Sequence, residues 1–241
     1  MPLFHLYGCT KDGKRGCQTT RQTILFFPLG KDRKSQAKIS YLRDMKRIGL
    51  TGGIGSGKTF VAEVLSKMGY PVYYSDDRAK VLTAENLAIR KGLISRFGVS
   101  IFDRKGLNKK ALAAEIFQSE ESRLYVNELI HPVVRADFQE WSKQQSAALV
   151  FNESALHFET GAFQRFDYTL LITAPMDLRV HRVIAREGCT KAEVLARMQS
   201  QWSDNQKKEH ADFVIINDEK RPLLHQIENA IDMFLLSKTK G

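Results

Sequence analysis

Residues 52 to 59 read Gly52-Gly53-Ile54-Gly55-Ser56-Gly57-Lys58-Thr59, the spacing G-x-x-x-x-G-K-S/T. Each position has a physical reason. Glycines let the backbone wrap closely, so that successive N–H groups between Gly53 and Gly57 can point inward at phosphate oxygens. Lys58 then reaches the β- and γ-phosphates, and the Thr59 hydroxyl is the expected ligand for Mg2+. Phe60 continues the same nucleotide-binding stretch in the first turn of a helix, whose free N–H groups and positive dipole end favour an anion. The chemistry is nucleoside triphosphate binding, with Mg2+ as cofactor.

Further residues could complete a transfer site. Asp76 ends a strand-like segment, and a carboxylate there could orient a hydroxyl nucleophile and take its proton. Glu153 follows an apolar run, where an acid could stand near a magnesium shell. Arg182 and Arg186 are i, i+4 and share one helix face. Asn217 ends the last apolar run, from which an amide could read an adenine edge. Each also has an ordinary use: Asp76 as a helix N-cap, the arginines as a solvated face, His131-Pro132 as a helix start, Asn217 in a turn. Lys207 lies in a charged run where solvation is the default, and Arg179 stays unassigned.

The elements that must position these groups follow from periodicity. A short strand spans 46–51, and helical spacing over 59–68 stops at Gly69 with Pro71 following. A strand over 70–75 precedes a mainly helical stretch to about 145, interrupted at 103–106 and at Pro132. Apolar runs at 147–152, 168–173 and 213–217 have buried-strand length, and 177–210 is polar and helical. Strands alternating with helices predict an α/β fold, a three-layer parallel sheet of the P-loop NTPase kind. No N-K-x-D stretch of the guanine-reading type is present, and the size favours a small-molecule kinase.

The net charge of +10 is uneven, since residues 1–46 hold ten Lys/Arg against three Asp and so carry most of it. The near-balanced remainder is explained by anionic small-molecule ligands, with no nucleic-acid partner required. No apolar run approaches the roughly 20 residues of a membrane span, so no membrane association is expected. Cys9, Cys17 and Cys189 have no metal spacing, which fits a reducing cytoplasm. Nothing in the pattern sets an oligomeric state.

An ordered set of segments resembles the dephospho-coenzyme A kinase family over about residues 47 to 235. Thr51 to Thr59 complete its opening T-G-G-I-G-S-G-K-S/T. Tyr74-Ser75-Asp76-Asp77-Arg78-Ala79 is similar to its D-x-D-x-x-A/C element, with Tyr74 in place of the first acid. Then come Phe97-Gly98, Asp103-Arg104-Lys105-Gly106-Leu107, Leu112, Phe117 and His131-Pro132, in the family's order. Glu153-Ser154-Ala155-Leu156-His157-Phe158-Glu159 resembles D-x-P-L-L-F/V-E, with Ala155 and His157 replacing Pro and Leu. Arg182 and Arg186 match its lid arginines, Arg197 and Gln201 its R-x-x-x-Q. Lys207, Ala211-Asp212 and Asn217 match K-x-x-x-A-D-x-x-I-x-N.

The resemblance implies an ATP-dependent phosphotransferase acting on the 3′-hydroxyl of dephospho-coenzyme A, in the last step of coenzyme A biosynthesis. A nucleoside or nucleotide kinase of the same fold is the alternative. It implies that Asp76 is the base, that Arg182 and Arg186 work beside Lys58, and that Asp76, His131 and Glu153 meet the acceptor. A helical acceptor-binding insert is expected over about 77–140 and a lid over about 187–207, within a kinase domain of 46–241. Residues 1–45 form a basic leader without helical or strand period. Met45, just before the first strand, suggests a start assigned too far upstream; a disordered tail is the next reading and a targeting peptide the last.

Overall fold

A computed structural model of the chain describes residues 45–103 and 106–238. The leader expected over 1–45 lies outside the described residues except for Met45, as do Arg104 and Lys105. The described residues form seven strands: β1 Lys46–Gly52, β2 Val72–Tyr74, β3 Phe102–Asp103, β4 Gly106–Leu107, β5 Leu149–Glu153, β6 Tyr168–Thr173 and β7 Phe213–Ile216. Five of them make one sheet in the order β2-β5-β1-β6-β7, and every pairing in it is parallel. The expected α/β class and parallel sheet are what the chain adopts. Every residue of β5 and β6 is buried, which is why these strands read as continuous apolar runs rather than alternating ones.

The described residues also form nine α-helices: α1 Lys58–Lys67, α2 Ser75–Glu85, α3 Leu87–Phe97, α4 Lys109–Gln118, α5 Glu120–Lys143, α6 Met176–Glu187, α7 Lys191–Gln199, α8 Asp204–His210 and α9 Leu223–Leu236. The caps are legible locally. Asn86, Asn108 and Ser119 accept backbone N–H bonds at the starts of α3, α4 and α5. Thr190/Glu193 and Ser203/Gln206 form capping boxes at α7 and α8. One apolar core, with Leu50, Leu65, Phe151 and Phe234, packs α1 and α9 on the sheet. A second, around Ile89, Leu93, Leu112 and Val126, belongs to α3, α4 and α5.

One expectation is corrected here. His131-Pro132 does not start a helix, because α5 runs unbroken through Pro132 for 24 residues. Its apolar residues pack on both sides of that point: Val126, Leu129 and Val133 into the helical core, Val134, Phe138 and Trp141 against Tyr73 and Val150. Burial along the full length outweighs the roughly 3 kcal/mol that an internal proline costs.

Candidate active site

The glycine-rich segment links the end of β1 to α1, at the carboxyl edge of the sheet where ligands of parallel α/β folds bind. Gly55 and Gly57 have φ of 77° and 90°, the left-handed region that only glycine enters without strain. Among the described residues no backbone acceptor engages the N–H groups of Gly55, Gly57, Lys58 or Thr59. The loop's shape is held from outside. The Ile54 N–H donates to Gln201 Oε1 at 2.9 Å, and its carbonyl accepts from Arg179 Nε at 2.9 Å. Arg179 is buried and its Nη1 pairs with Asp204 at 2.9 Å. The Lys58 ammonium contacts the buried Glu153 carboxylate, and the Thr59 hydroxyl next to it is exposed.

Asp76 is the second residue of α2, whose N-cap position is Tyr74, so it does not cap the helix. Its carboxylate is exposed and accepts a bond from Ser154 Oγ at 3.1 Å. Ser75 Oγ donates to Asn152 Oδ1 at 2.6 Å, which ties the start of α2 to β5. Arg78 makes a forked pair with Asp137 on α5, Nε at 3.0 Å and Nη2 at 2.8 Å, and the Tyr73 hydroxyl donates to the same carboxylate at 2.6 Å. The guanidinium holds the Asp137 carboxyl below its ordinary pKa, and burial followed by that carboxylate pushes Tyr73 well above the usual phenol range.

Asp76, Ser154 and His131 line one cleft of about 620 Å3 between α5 and the sheet. Ser154 directly follows Glu153, the partner of Lys58, so cleft and phosphate loop meet at that step. His157 also lines it, with Nε2 2.9 Å from the Asn152 carbonyl and its ring against Phe166. Complete burial pushes its pKa down to about 4, against the opposing pull of that bond, so the ring is neutral near pH 7. Desolvation in the cleft, then the charges of Arg135 and Arg165, lower His131 as well.

Of the two arginines expected to act as a pair on α6, Arg182 faces the loop. Its Nη1 is 3.5 Å from the carbonyls of Gly55 and Ser56, and its Nη2 reaches Asn217 and Glu219. Arg186, one turn on, is exposed and paired with its neighbour Glu187. The Asn217 amide donates to the Ser56 carbonyl at 2.9 Å, so its N–H braces the loop. Phe60 is exposed on the first turn of α1. Lys207 is corrected: it is not solvated but fully buried, its Nζ 2.9 Å from Glu159 Oε1. That approach is a charge contact at an angle outside hydrogen-bond geometry, and no other acceptor meets the ammonium.

The sequence profile of dephospho-CoA kinase matches residues 46–222. The chain belongs to the dephospho-CoA kinase family. The dephospho-CoA kinase of Bacteroides fragilis strain YCH46 is 40% identical over 193 residues, 80% of this chain and 94% of the relative. That of Porphyromonas gingivalis is 35% identical over 78% of this chain and 94% of its own. The crystal structure of TT1252 from Thermus thermophilus superposes with a TM-score of 0.70 at 35% identity, covering 81% of this chain and all of the other. Dephospho-CoA kinase from Campylobacter jejuni shares the fold, with a TM-score of 0.57 at 24% identity over 78% and 94% of the chains.

Several residues of this kinase escape sequence reasoning. Ser154 bonds Asp76 across 78 positions of chain, Ser75 and Asn152 tie down the start of its helix, and Arg179, paired with Asp204, holds the loop from the far end of the domain. Only Gln201 carried a signal, through the R-x-x-x-Q spacing. Among the described residues no three His, Cys, Asp or Glu side chains gather as a metal site, and no helix is long and apolar enough to cross a membrane. An exposed Thr59 hydroxyl beside four free N–H groups instead suits an ion that arrives with phosphates.

Proposed function

We infer that this kinase binds Mg-ATP at residues 53–60 and passes the γ-phosphate to the 3′-hydroxyl of dephospho-CoA, releasing CoA and ADP. The observation that carries the reading is the Asp76 carboxylate at the head of the cleft, one residue step from the Lys58–Glu153 pair. Asp76 takes the proton of the attacking hydroxyl as that oxygen bonds to the γ-phosphorus and the bond to the β–γ bridging oxygen breaks. Lys58 and Arg182 lie where charge spreads over the transferring group, with Arg186 a second cation on the same helix. Glu153 steers Lys58, Asn217 shapes the nucleotide side, and His131 meets the acceptor in the cleft. The Thr59 hydroxyl would hold Mg2+, which when bound supplies charge neutralisation at the phosphates.

The segment over 187–207 serves as a lid that excludes water, which would otherwise compete as acceptor. The helices between 77 and 140 serve as the acceptor-binding part. A reducing cytoplasm suits the free Cys189 thiol, and neither nucleic acid nor membrane has a role in the reaction. ADP release over an acceptor panel tests the whole. Turnover of nucleoside monophosphates with none of dephospho-CoA would overturn it. Asp76→Asn should cut kcat at least a hundredfold while ATP still binds; wild-type turnover in that variant removes Asp76 as base.

A further inference from the structure

Three arginines face the acceptor cleft without a task in the reaction above. Arg47 lies at the start of β1, Arg135 stands one turn beyond His131 on α5, and Arg165 ends the 3-10 turn before β6. Among the described residues none of the three has an ion-pair or hydrogen-bond partner for its side chain, and Arg47 Nε is buried without one. The contrast within the molecule is plain, since Arg78, Arg179 and Arg182 are paired with Asp137, Asp204 and Glu219. A buried donor left without an acceptor is costly, and for Arg47 Nε an anionic ligand in the cleft would relieve that cost.

The cleft's three arginines are matched in number by three acids, so what matters is how those acids are engaged. Asp76, Glu128 and Glu159 also line it. Asp76 is bonded by Ser154, Glu159 is committed to Lys207, and Glu128 is exposed on α5. Two of the arginines flank Phe166: Arg165 precedes it, and its ring packs against Gly49, two residues beyond Arg47. Arg135 and Arg165 are close enough to His131 to disfavour its protonation. Along β1, Leu50 is level with Glu153, and Arg47 lies three residues back, about 10 Å at roughly 3.3 Å per residue.

We propose that Arg47, Arg135 and Arg165 bind the diphosphate of the acceptor. The inference rests on dephospho-CoA as acceptor. Its diphosphate hangs from the 5′ carbon of the ribose whose 3′-hydroxyl meets Asp76, so an extended acceptor carries the anion away from the loop, along the cleft toward Arg47. Guanidinium forks match phosphate oxygens two at a time and stay charged at every working pH.

The test uses the full chain and the variants Arg135→Gln, Arg165→Gln and Arg47→Lys. The first two sites are exposed, and the third keeps charge and stem, so folding is preserved. Dephospho-CoA binding, measured by calorimetry without ATP, should weaken about tenfold or more in each Gln variant and several-fold in Arg47→Lys. KM for dephospho-CoA should rise in step while kcat and KM for ATP hold. Adenosine, which has base and ribose but no diphosphate, should bind wild type and variants alike. A wild type active on dephospho-CoA whose variants keep its affinity, or lose adenosine in parallel, overturns the arginine site alone. A wild type that turns over another acceptor but not dephospho-CoA overturns the acceptor reading and this site with it.

Discussion

An exposed carboxylate on a helix start is free to swing, and for Asp76 the restraint is a single hydroxyl, Ser154 Oγ. Ser154→Ala should lower kcat about fivefold to tenfold, the worth of one hydrogen bond to a charged group, with KM for ATP unchanged. Ser154→Thr should restore most of it; a Thr variant as slow as Ala would argue against orientation by the hydroxyl. His157 gives a pH prediction. Its folded pKa of about 4 lies below the unfolded value of about 6.5. Above pH 6.5 both states are neutral and nothing is lost. As pH falls from 6.5 to 4 the unfolded chain binds a proton that the folded chain refuses, so stability drops by roughly 3 kcal/mol. Thermal melts of His157→Leu should be flatter across that window; an unchanged slope would exclude His157 as the group. At this scale the sequence showed Asp76 by its place after a strand and by resemblance. It could not show Ser154, whose partner lies 78 positions away, nor that His157, standing where the family has Leu, is buried like one.

The phosphate loop is an element shaped by its neighbours. A Cβ on Gly57 would stand 2.2 Å from Asn217 Nδ2, on a backbone whose φ of 90° already disfavours it. Gly57→Ala should weaken ATP binding more than tenfold, and a variant that binds ATP normally would show the loop to be more pliant than its contacts imply. Strand positions were legible to within about two residues, because the sheet is buried on both faces and its segments carry unbroken apolar runs. The course of α5 was not. Pro132 is a local signal to stop, whereas the reason to continue, two apolar clusters on either side of it, is tertiary.

For the molecule as a whole, the parallel sheet could be read from alternation alone, but the joins between its parts could not. Lys207 looked like one charge in a polar run, yet it is buried against Glu159 where α8 packs back toward the cleft. Removing it leaves a carboxylate that is only 12% exposed without its counter-charge, with the Trp202 N–H as its remaining bond. Lys207→Ala should therefore cost about 3–5 kcal/mol and lower Tm by several degrees; a Tm within a degree of wild type would mean that Glu159 finds solvent instead.

The two backbone bonds of Ile54 link distant parts of the chain. Its N–H is capped by Gln201, beyond α7, and its carbonyl by Arg179 of α6. That single amide proton is thus shielded by the segment proposed above as the lid. On that proposal its exchange with deuterium should keep time with the opening of the segment and slow when ATP is bound, so that Ile54 would serve as a built-in clock for that motion.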